Sequence, residues 1–453
     1  MVARRLVCLM AVALSLPGTA TLCRGQSVEQ WSAQQQAAEA KTDRIMADVS
    51  THKGLLDQYL AMRSAFASDN SRAFRLFFGQ YISWYQSFLG SYPAAMDSFS
   101  IAQRAQADDN PSPLNADGYV ARPAIDAIPQ VAENYRVVLF NEAHNIALTR
   151  SLTVRLLSRL HDEGFNYFAA ETLVQTDTAL TSRGYPTENS GFYTEEPIYA
   201  EMVRTALKLG YKVIAYETTT NTNDSDTREK EQAKNLYTQV FAHDPHARLV
   251  INAGYEHIIK SGDYLGGASM AEHLYKLAKL PMLSIDQTTM YPHPSSNDDH
   301  PYYTAIIKTL QPNDAIIFVN AAGKPWSLRS NYDISVFFPP SPLVRERPAW
   351  LTLGDLRKPY IVSADECHAH YPCLIEARYS AEGDDAIPAD RLLLDLEPLG
   401  VTESDVAMYS SNQSIPSGNL YLRPGSYRLK FIIKGNRVIH QEDIVVSDTP
   451  MHH

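Results

Sequence analysis

Residues 118–335 alternate between short apolar runs and amphipathic helical segments, and this alternation limits the choice of fold. The apolar runs are continuous, which is typical of strands buried on both faces of a parallel sheet. Segments such as Leu148–Leu160 and Glu229–Phe241 separate most of them and supply covering helices. The predicted strands are Arg136–Phe140, Tyr167–Ala170, Val213–Tyr216, Arg248–Asn252, Met282–Ile285 and Ala315–Val319. The sequence therefore predicts an α/β domain with a mostly parallel sheet flanked by helices.

The regions on either side of this domain have different patterns. Residues 26–110 read as a helical region that contains an aromatic stripe at three- and four-residue spacing. The stripe consists of Phe77, Phe78, Tyr81, Trp84, Tyr85 and Phe88. We interpret it as core packing, with a lid over an apolar ligand as the alternative. Residues 361–449 contain short alternating strands and a turn signal at Pro424-Gly425, which predict a small antiparallel β-sandwich-like domain.

The first 25 residues have the pattern of a secretory signal peptide. Arg4 and Arg5 precede an apolar run, Leu6–Leu16, that is too short to span a bilayer, and small residues follow it. No later segment of the sequence reaches transmembrane length. We therefore predict an exported protein, located in the periplasm if the source is a Gram-negative bacterium.

The net charge restricts which partners the protein can bind, and the cysteine content restricts disulfide and metal chemistry. The net charge of −11 argues against nucleic acid, which attracts basic surfaces, and leaves a small-molecule or peptide substrate. Beyond the predicted signal peptide the cysteines are Cys367 and Cys373, and an oxidising compartment favours a local disulfide between them. A metal site with His368 and His370 is the alternative, but five residues between two thiols is not a standard zinc spacing.

Polar side chains stand at the ends of five predicted strands. The carboxyl ends of parallel strands meet at one edge of the sheet, where ligands bind in open α/β folds. Carboxylates and imidazoles at such positions cost desolvation unless they are paired or hydrated. These residues are Glu142, His144, Glu171, Glu217, Glu256, His257 and Asp286. Each has a structural explanation alone, as a helix-end partner or a buried histidine, but together they predict one functional site.

A further polar group follows Glu217 in a predicted helix. Arg228 and Glu229 fall near its start, and Asn235 lies seven residues after Arg228, which places both on one helix face. An arginine at a helix start opposes the helix dipole, so we expect Arg228 to have an anionic partner.

The order of these motifs resembles the erythromycin esterase-like, ChaN-like and Tiki/TraB superfamily. In that group Gly-Glu-x-His follows the first strand, a Glu follows the second, and a later Glu precedes Arg-Asp/Glu-x-x-Met-Ala-x-Asn and Gly-x-x-His. The matching residues are Glu142, His144, Glu171, Glu217, Arg228, Glu229, Ala233, Asn235, Gly254 and His257. The resemblance covers residues 130–320. Asn141 stands where the first Gly is expected, and Gln232 replaces the Met. Because Asn tolerates the left-handed conformation, we expect the turn at Asn141 to survive.

The resemblance implies a hydrolase that activates water without a covalent nucleophile. The sequence agrees, since it has no Gly-x-Ser-x-Gly elbow and no His-Glu-x-x-His helix, and neither Cys367 nor Cys373 lies in the α/β domain. In this hypothesis the general base is His144 or Glu171, while Arg228 and His257 orient carboxylates and stabilise the oxyanion. The supporting residues are Glu142, Glu217, Glu229, Asn235 and Glu256. If a divalent metal binds, its ligands are His144, His257 and Glu142.

Two other interpretations stay open at this point. The ChaN-like branch implies a periplasmic haem- or iron-related binding protein, which Tyr255 beside His257 and the aromatic stripe favour. A non-catalytic envelope module, with the β-domain contacting a partner, is favoured by Asn141 in place of the expected Gly.

Overall fold

The computed structural model of the chain describes residues 27–99, 109–116, 118–220, 222, 224–395 and 417–448. The chain divides into two compact units, one of residues 102–341 and one that combines residues 1–101 with residues 342–453. The predicted signal peptide lies outside the described residues. Within the described ranges, no helix has the length and apolar character needed to cross a bilayer.

Four helices belong to the combined unit and seven to the α/β unit, counted over the described residues. They are α1 (Val28–Val49), α2 (Leu55–Ser68), α3 (Arg72–Phe88), α4 (Tyr92–Ser98), α5 (Ala124–Ala132), α6 (Leu148–Asp162), α7 (Leu180–Arg183), α8 (Pro197–Leu209), α9 (Ser225–Leu236), α10 (Met270–Ala278) and α11 (Pro301–Leu310). A π-helical turn, Tyr237–Phe241, continues α9.

The α/β unit is built on an eight-stranded sheet. Its strands are β1 (Tyr119–Pro123), β2 (Val137–Glu142), β3 (Tyr167–Ala170), β4 (Lys212–Ile214), β5 (Leu249–Gly254), β6 (Met282–Met290), β7 (Ile316–Asn320) and β8 (Ile334–Phe337). They lie in the order β1-β7-β8-β6-β2-β5-β3-β4. The predicted mostly parallel sheet flanked by helices is confirmed. Strand β7 is the exception, because it runs antiparallel to both β1 and β8.

Burial of the central strands explains their sequence. Every residue of β2, β3 and β5 is buried, as their continuous apolar runs predict. The parallel register pairs Glu142 of β2 with Gly254 of β5, and Ala170 of β3 with Asn252 of β5. The carboxyl ends of these three strands therefore lie side by side.

The combined unit contains the remaining strands. They are β9 (Leu343–Val344), β10 (Arg347–Pro348), β11 (Lys358–Ser363), β12 (Cys373–Tyr379), β13 (Asp390–Leu394), β14 (Ser417–Leu422), β15 (Gly425–Ile433) and β16 (Arg437–Val446). An antiparallel sheet in the order β13-β12-β15-β16 shares one apolar core with the antiparallel pair β11-β14. A disulfide joins Cys367 to Cys373, whose Cα atoms are 6.1 Å apart.

The N-terminal helices pack within this same unit. Arg391 of β13 donates from Nη1 to the carbonyl oxygen of Phe88 at 3.2 Å. The rings of Tyr92 and Trp350 meet edge to face at 5.2 Å. Most of the aromatic stripe of α3 is buried, and Phe78 stacks on Phe74 at 5.0 Å. These contacts show that the aromatic stripe packs in the hydrophobic core of this unit.

Candidate functional site

Two groups of buried and half-buried polar side chains converge at the carboxyl ends of β2, β3 and β5. We call the first the Glu142 group, which consists of Glu142, His144, Arg150 and Asn252. We call the second the Arg228 group, which consists of Glu171, Glu217, Arg228, Glu229 and His257. Strand ends supply Glu142, Glu171 and Asn252, helix α9 supplies Arg228 and Glu229, and a one-turn helix after β5 supplies His257.

Glu142 is held by an arginine that is fully buried. Arg150 of α6 donates from Nε to Oε2 and from Nη2 to Oε1 of Glu142, both at 2.7 Å. Asn252 adds a hydrogen bond from Nδ2 to Oε2 at 2.9 Å. Burial alone would raise the pKa of Glu142, but the charge of Arg150 and the hydrogen bond from His144 outweigh it and lower the pKa to about 2. Glu142 is therefore an ionised acceptor at neutral pH.

This carboxylate sets the tautomer of His144. Nδ1 of His144 lies 3.2 Å from Oε1 of Glu142. The imidazole is also fixed by packing, since it stacks on Tyr193 at 4.0 Å and meets Tyr255 edge to face at 5.2 Å. An ionised acceptor opposite Nδ1 requires the hydrogen of a neutral imidazole to sit on Nδ1. Nε2 of His144 is then left as a proton acceptor.

The two groups meet at Gly254. Oε2 of Glu171 accepts a hydrogen bond from the backbone nitrogen of Gly254 at 2.5 Å. A Cβ atom at position 254 would lie 2.4 Å from Nε2 of His144 and 3.0 Å from Oε2 of Glu171. Nε2 of His144 and the carboxylate of Glu171 thus both pack against Gly254, where a side chain larger than that of glycine does not fit.

Arg228 links the carboxylates of the second group. It donates from Nη2 to Oε2 of Glu217 at 2.7 Å and to Oε1 of Glu171 at 3.1 Å. Burial would raise the pKa of Glu171, but His257, His144 and Arg228 outweigh it and hold the pKa well below its usual range. Glu171 is therefore ionised and is a weak base. Arg228 therefore has two anionic partners, Glu171 and Glu217, where the sequence predicted at least one.

His257 has a carboxylate on each ring nitrogen. Nδ1 lies 2.8 Å from Oε2 of Glu229, and Nε2 lies 3.3 Å from Oε1 of Glu171. Burial would lower the pKa of His257, but these two carboxylates raise it to about 10. These carboxylates therefore favour the imidazolium form of His257, although Nη1 of Arg228 also lies 3.4 Å from Nε2. The hydroxyl of Tyr264 lies 3.2 Å from Nε2.

Three of the strand-end and helix residues singled out in the sequence lie outside the two groups. Glu256 forms an ion pair with Arg329, and its side chain is 28% exposed. Asn235 donates from Nδ2 to the carbonyl oxygen of Tyr216 at 3.1 Å, which ties α9 to the chain after β4. Asp286 accepts from Nδ2 of Asn141 at 3.0 Å.

The expectation of a left-handed turn at Asn141 is wrong. Asn141 lies inside β2, where it is buried and joins β2 to β6 through side-chain hydrogen bonds to Asp286 and Thr288. Positive φ angles occur instead at Thr172 (68°) and Tyr255 (42°), directly after Glu171 and Gly254. The amide of Asn141 therefore serves strand pairing, which a glycine could not.

Several site residues escaped the sequence reasoning. Arg150 carried a usable signal, because a charged residue stands on the apolar face of α6 with Val154 and Leu157 four and seven positions later. Tyr193 begins a three-residue 3-10 helix and Tyr264 lies in a loop, and neither spacing nor polarity marks them in the sequence.

A metal does not fit the arrangement of His144, His257 and Glu142. Within the described residues there is no group of three or more His, Cys, Asp or Glu that could hold a metal ion. Arg150 and Asn252 occupy the oxygens of Glu142, and a metal ion would have to displace a proton that two carboxylates hold on His257.

Haem ligation by Tyr255 or His257 does not fit either. His257 is protonated, as above. Burial raises the pKa of Tyr255, and its hydroxyl interacts with the backbone of His144. Both shifts therefore favour the protonated forms of Tyr255 and His257, which do not ligate iron.

Comparison with known proteins gives little further information. No family model matches the chain, and no curated protein matches it significantly. The solved structure of the type III effector HopBA1 matches with 11% identity and a TM-score of 0.31, covering 51% of this chain and 99% of its own. A structure described as bacterial protein toxins matches with 13% identity and a TM-score of 0.27, covering 50% of this chain and 52% of its own. RRSP, a MARTX toxin effector domain from Vibrio vulnificus CMCP6, matches with 13% identity and a TM-score of 0.27, covering 50% of each chain. Likenesses this low carry no argument about activity.

Proposed function

We propose that this chain is a hydrolase that activates water at His144 and cleaves an ester or an amide bond, including a peptide bond. The observation that carries the proposal is the acceptor nitrogen of His144, fixed by ionised Glu142 and facing the carboxylate of Glu171 beside Gly254. An imidazole oriented by a buried carboxylate is a common form of general base.

The choice between His144 and Glu171 as the base follows from proton affinity. The pKa of Glu171 is held well below its usual range, so its carboxylate orients water by accepting a hydrogen bond and does not take the proton. Water gives its proton to Nε2 of His144 while its oxygen forms a bond to the substrate carbonyl carbon. The π electron pair of the carbonyl moves to oxygen. When the tetrahedral intermediate collapses, the bond to the leaving group breaks and His144 returns the proton to that group.

The Arg228 group supports this chemistry electrostatically. Arg228 and the His257 imidazolium neutralise the charge of Glu171 and fix its position. Glu217 and Glu229 in turn hold these two cations, so the group is organised before substrate binds.

The test is hydrolysis of nitrophenyl esters and of peptide nitroanilides by purified protein. We expect His144→Ala to lower kcat/KM by about 10³-fold, the middle of the range for general base catalysis. His243→Ala, at an exposed histidine, is the matched control and leaves the rate unchanged. Equal activity of His144→Ala and wild type contradicts the proposal. A chelator should have no effect, and a chelator-sensitive rate would contradict the metal-free arrangement.

A further inference from the structure

Glu196, at the start of helix α8, is a fully buried carboxylate that belongs to neither of the two groups. Its Oε1 accepts from the backbone nitrogen of Ile198 at 2.9 Å, and its Oε2 accepts from that of Tyr199 at 2.8 Å. These are the hydrogen bonds of a helix N-cap, and Pro197 follows at the first helical position. Neutral serine and asparagine cap a helix as well, whereas a buried carboxylate costs free energy unless it is paired. Capping alone therefore does not account for a charge at this position.

The ionic partner of Glu196 is Arg150, the residue that also holds Glu142. Arg150 donates from Nη1 to Oε2 of Glu196 at 2.9 Å. The same guanidinium donates to both oxygens of Glu142 at 2.7 Å and to the carbonyl oxygen of His144 at 3.1 Å. Since Nδ1 of His144 lies 3.2 Å from Glu142, an unbroken series of contacts joins Glu196 to the imidazole.

The charges along this series do not cancel. Two carboxylates, Glu142 and Glu196, share the single guanidinium of Arg150, so the three side chains together carry one excess negative charge. All three side chains are buried, and water screens their charges little. An excess negative charge beside Nδ1 favours the protonated ring that forms when His144 takes a proton from water. Without Glu196, Arg150 would neutralise Glu142 completely and this assistance would be lost.

The other titratable groups near His144 come from different elements. Tyr193 stacks on the imidazole at 4.0 Å, and Tyr255 meets it edge to face at 5.2 Å. The carboxylate of Glu171 packs with Nε2 against Gly254. All three side chains are retained when position 196 alone is substituted, so a change in the pH profile reports the charge at that position.

We propose that Glu196 is a positioning residue that acts through Arg150, fixing the guanidinium against Glu142 and assisting proton transfer to His144 with its negative charge. This inference rests on the hydrolase function proposed above. Glu196 transfers no proton, and it has no exposed surface with which to contact a substrate.

The experiment measures kcat and KM for a nitrophenyl ester over a series of pH values in wild type and in Glu196→Gln. Glutamine keeps the size of the side chain and one capping oxygen but removes the charge. We expect the acid limb of kcat/KM to move to lower pH by about 0.5–1 unit, the size expected when one partly screened charge is removed. The plateau value of kcat should fall about threefold with KM unchanged, because a weaker base takes the proton less readily.

Two further variants make the comparison specific. Asp224→Asn makes the same change at the N-cap of α9, where exposed Asp224 accepts from the backbone nitrogen of Thr227 at 2.9 Å. This control should change neither the acid limb nor kcat. Glu196→Asp keeps a negative charge and should return the acid limb to its wild-type position. Should Glu196→Gln fail to fold, Glu196→Ser provides a neutral residue that caps well.

The outcomes separate this inference from the proposed function. A rate that falls by the same factor at every pH, with the acid limb unmoved, would mean that Glu196 only caps α8. That result overturns the inference and leaves hydrolysis that depends on His144 intact. An equal shift in Asp224→Asn also overturns it, because the effect would then come from net charge. If no hydrolysis depends on His144, the proposed function and this inference both fail.

Discussion

At the scale of single residues, the two histidines of the site differ because their surroundings carry different charge. His144 is hydrogen-bonded to one carboxylate, Glu142, which shares the cation of Arg150 with Glu196. His257 faces two carboxylates, Glu171 and Glu229. The first arrangement places the hydrogen of a neutral imidazole on Nδ1, and the second favours a cation.

The charge on His257 predicts how stability depends on pH. Its folded-state pKa of about 10 lies above the ordinary value of 6.5, so its contribution is complete below pH 6.5 and is lost as the pH rises towards 10. Across that window the stability difference between wild type and His257→Gln should shrink by up to about 1.4 kcal/mol per pH unit. Urea denaturation of both proteins at a series of pH values measures this difference. A stability difference that does not vary between pH 6.5 and pH 10 would rule out a charged His257.

At the scale of secondary-structure elements, strand register brings the site together. Glu142 at the end of β2 is opposite Gly254 at the end of β5, and β3 supplies Glu171 on the other side of β5. Continuous apolar runs predicted these strands because both faces of the sheet are covered. Strand β1 was not predicted, since it is mostly exposed, contains Arg122 and Pro123, and forms only by pairing with β7.

The register makes Gly254 a sensitive position. Its φ of −75° and ψ of 144° suit any residue, so Gly254→Ala acts through the added methyl group, which would meet Cε1 of His144 at 2.2 Å. We expect the displaced imidazole to lower kcat/KM at least about 100-fold. The free energy of unfolding should fall by about 1–3 kcal/mol, as for other overpacked sites. Steady-state hydrolysis and urea denaturation measure the two effects.

A second glycine provides the contrasting control. Gly323 has a φ of 78° and open space where a Cβ would lie. Gly323→Ala should lower the free energy of unfolding by about 1 kcal/mol through backbone strain and leave hydrolysis unchanged. If Gly254→Ala behaves in the same way, His144 is not packed against position 254.

At the scale of the whole molecule, the N-terminal and C-terminal segments form one compact unit although the α/β unit separates them in sequence. Phe88 accepts a hydrogen bond from Arg391, and Tyr92 packs against Trp350. A Cβ at Gly90 would lie 2.2 Å from the carbonyl oxygen of Arg391, which shows how closely the segments approach. The sequence suggested two separate regions, because nothing local in either segment identifies the other.

This arrangement predicts that the C-terminal segment depends on the N-terminal helices. A fragment of residues 342–453 alone should be cleaved faster by a non-specific protease than the same segment in the full chain, since its contacts with Phe88 and Tyr92 are lost. Co-expression with residues 26–101 should restore protection. A fragment as resistant as the full chain would show that the β-strands fold independently.

The sequence by itself determined the α/β class, most of the central strands, and the carboxylates and imidazoles at the strand ends. The spacing of apolar residues and the positions of polar ones are local properties of the sequence. They predict an element wherever it is buried on both faces. Tertiary structure decided which carboxylate pairs with which cation. It placed Arg150 in contact with Glu142 and paired Glu256 with Arg329, outside the site. It also placed the hydroxyl of Tyr264 beside His257. It also gave the two histidines different numbers of carboxylate partners. The reason is that pKa values, tautomers and hydrogen-bond directions depend on groups that are close in space but distant along the chain.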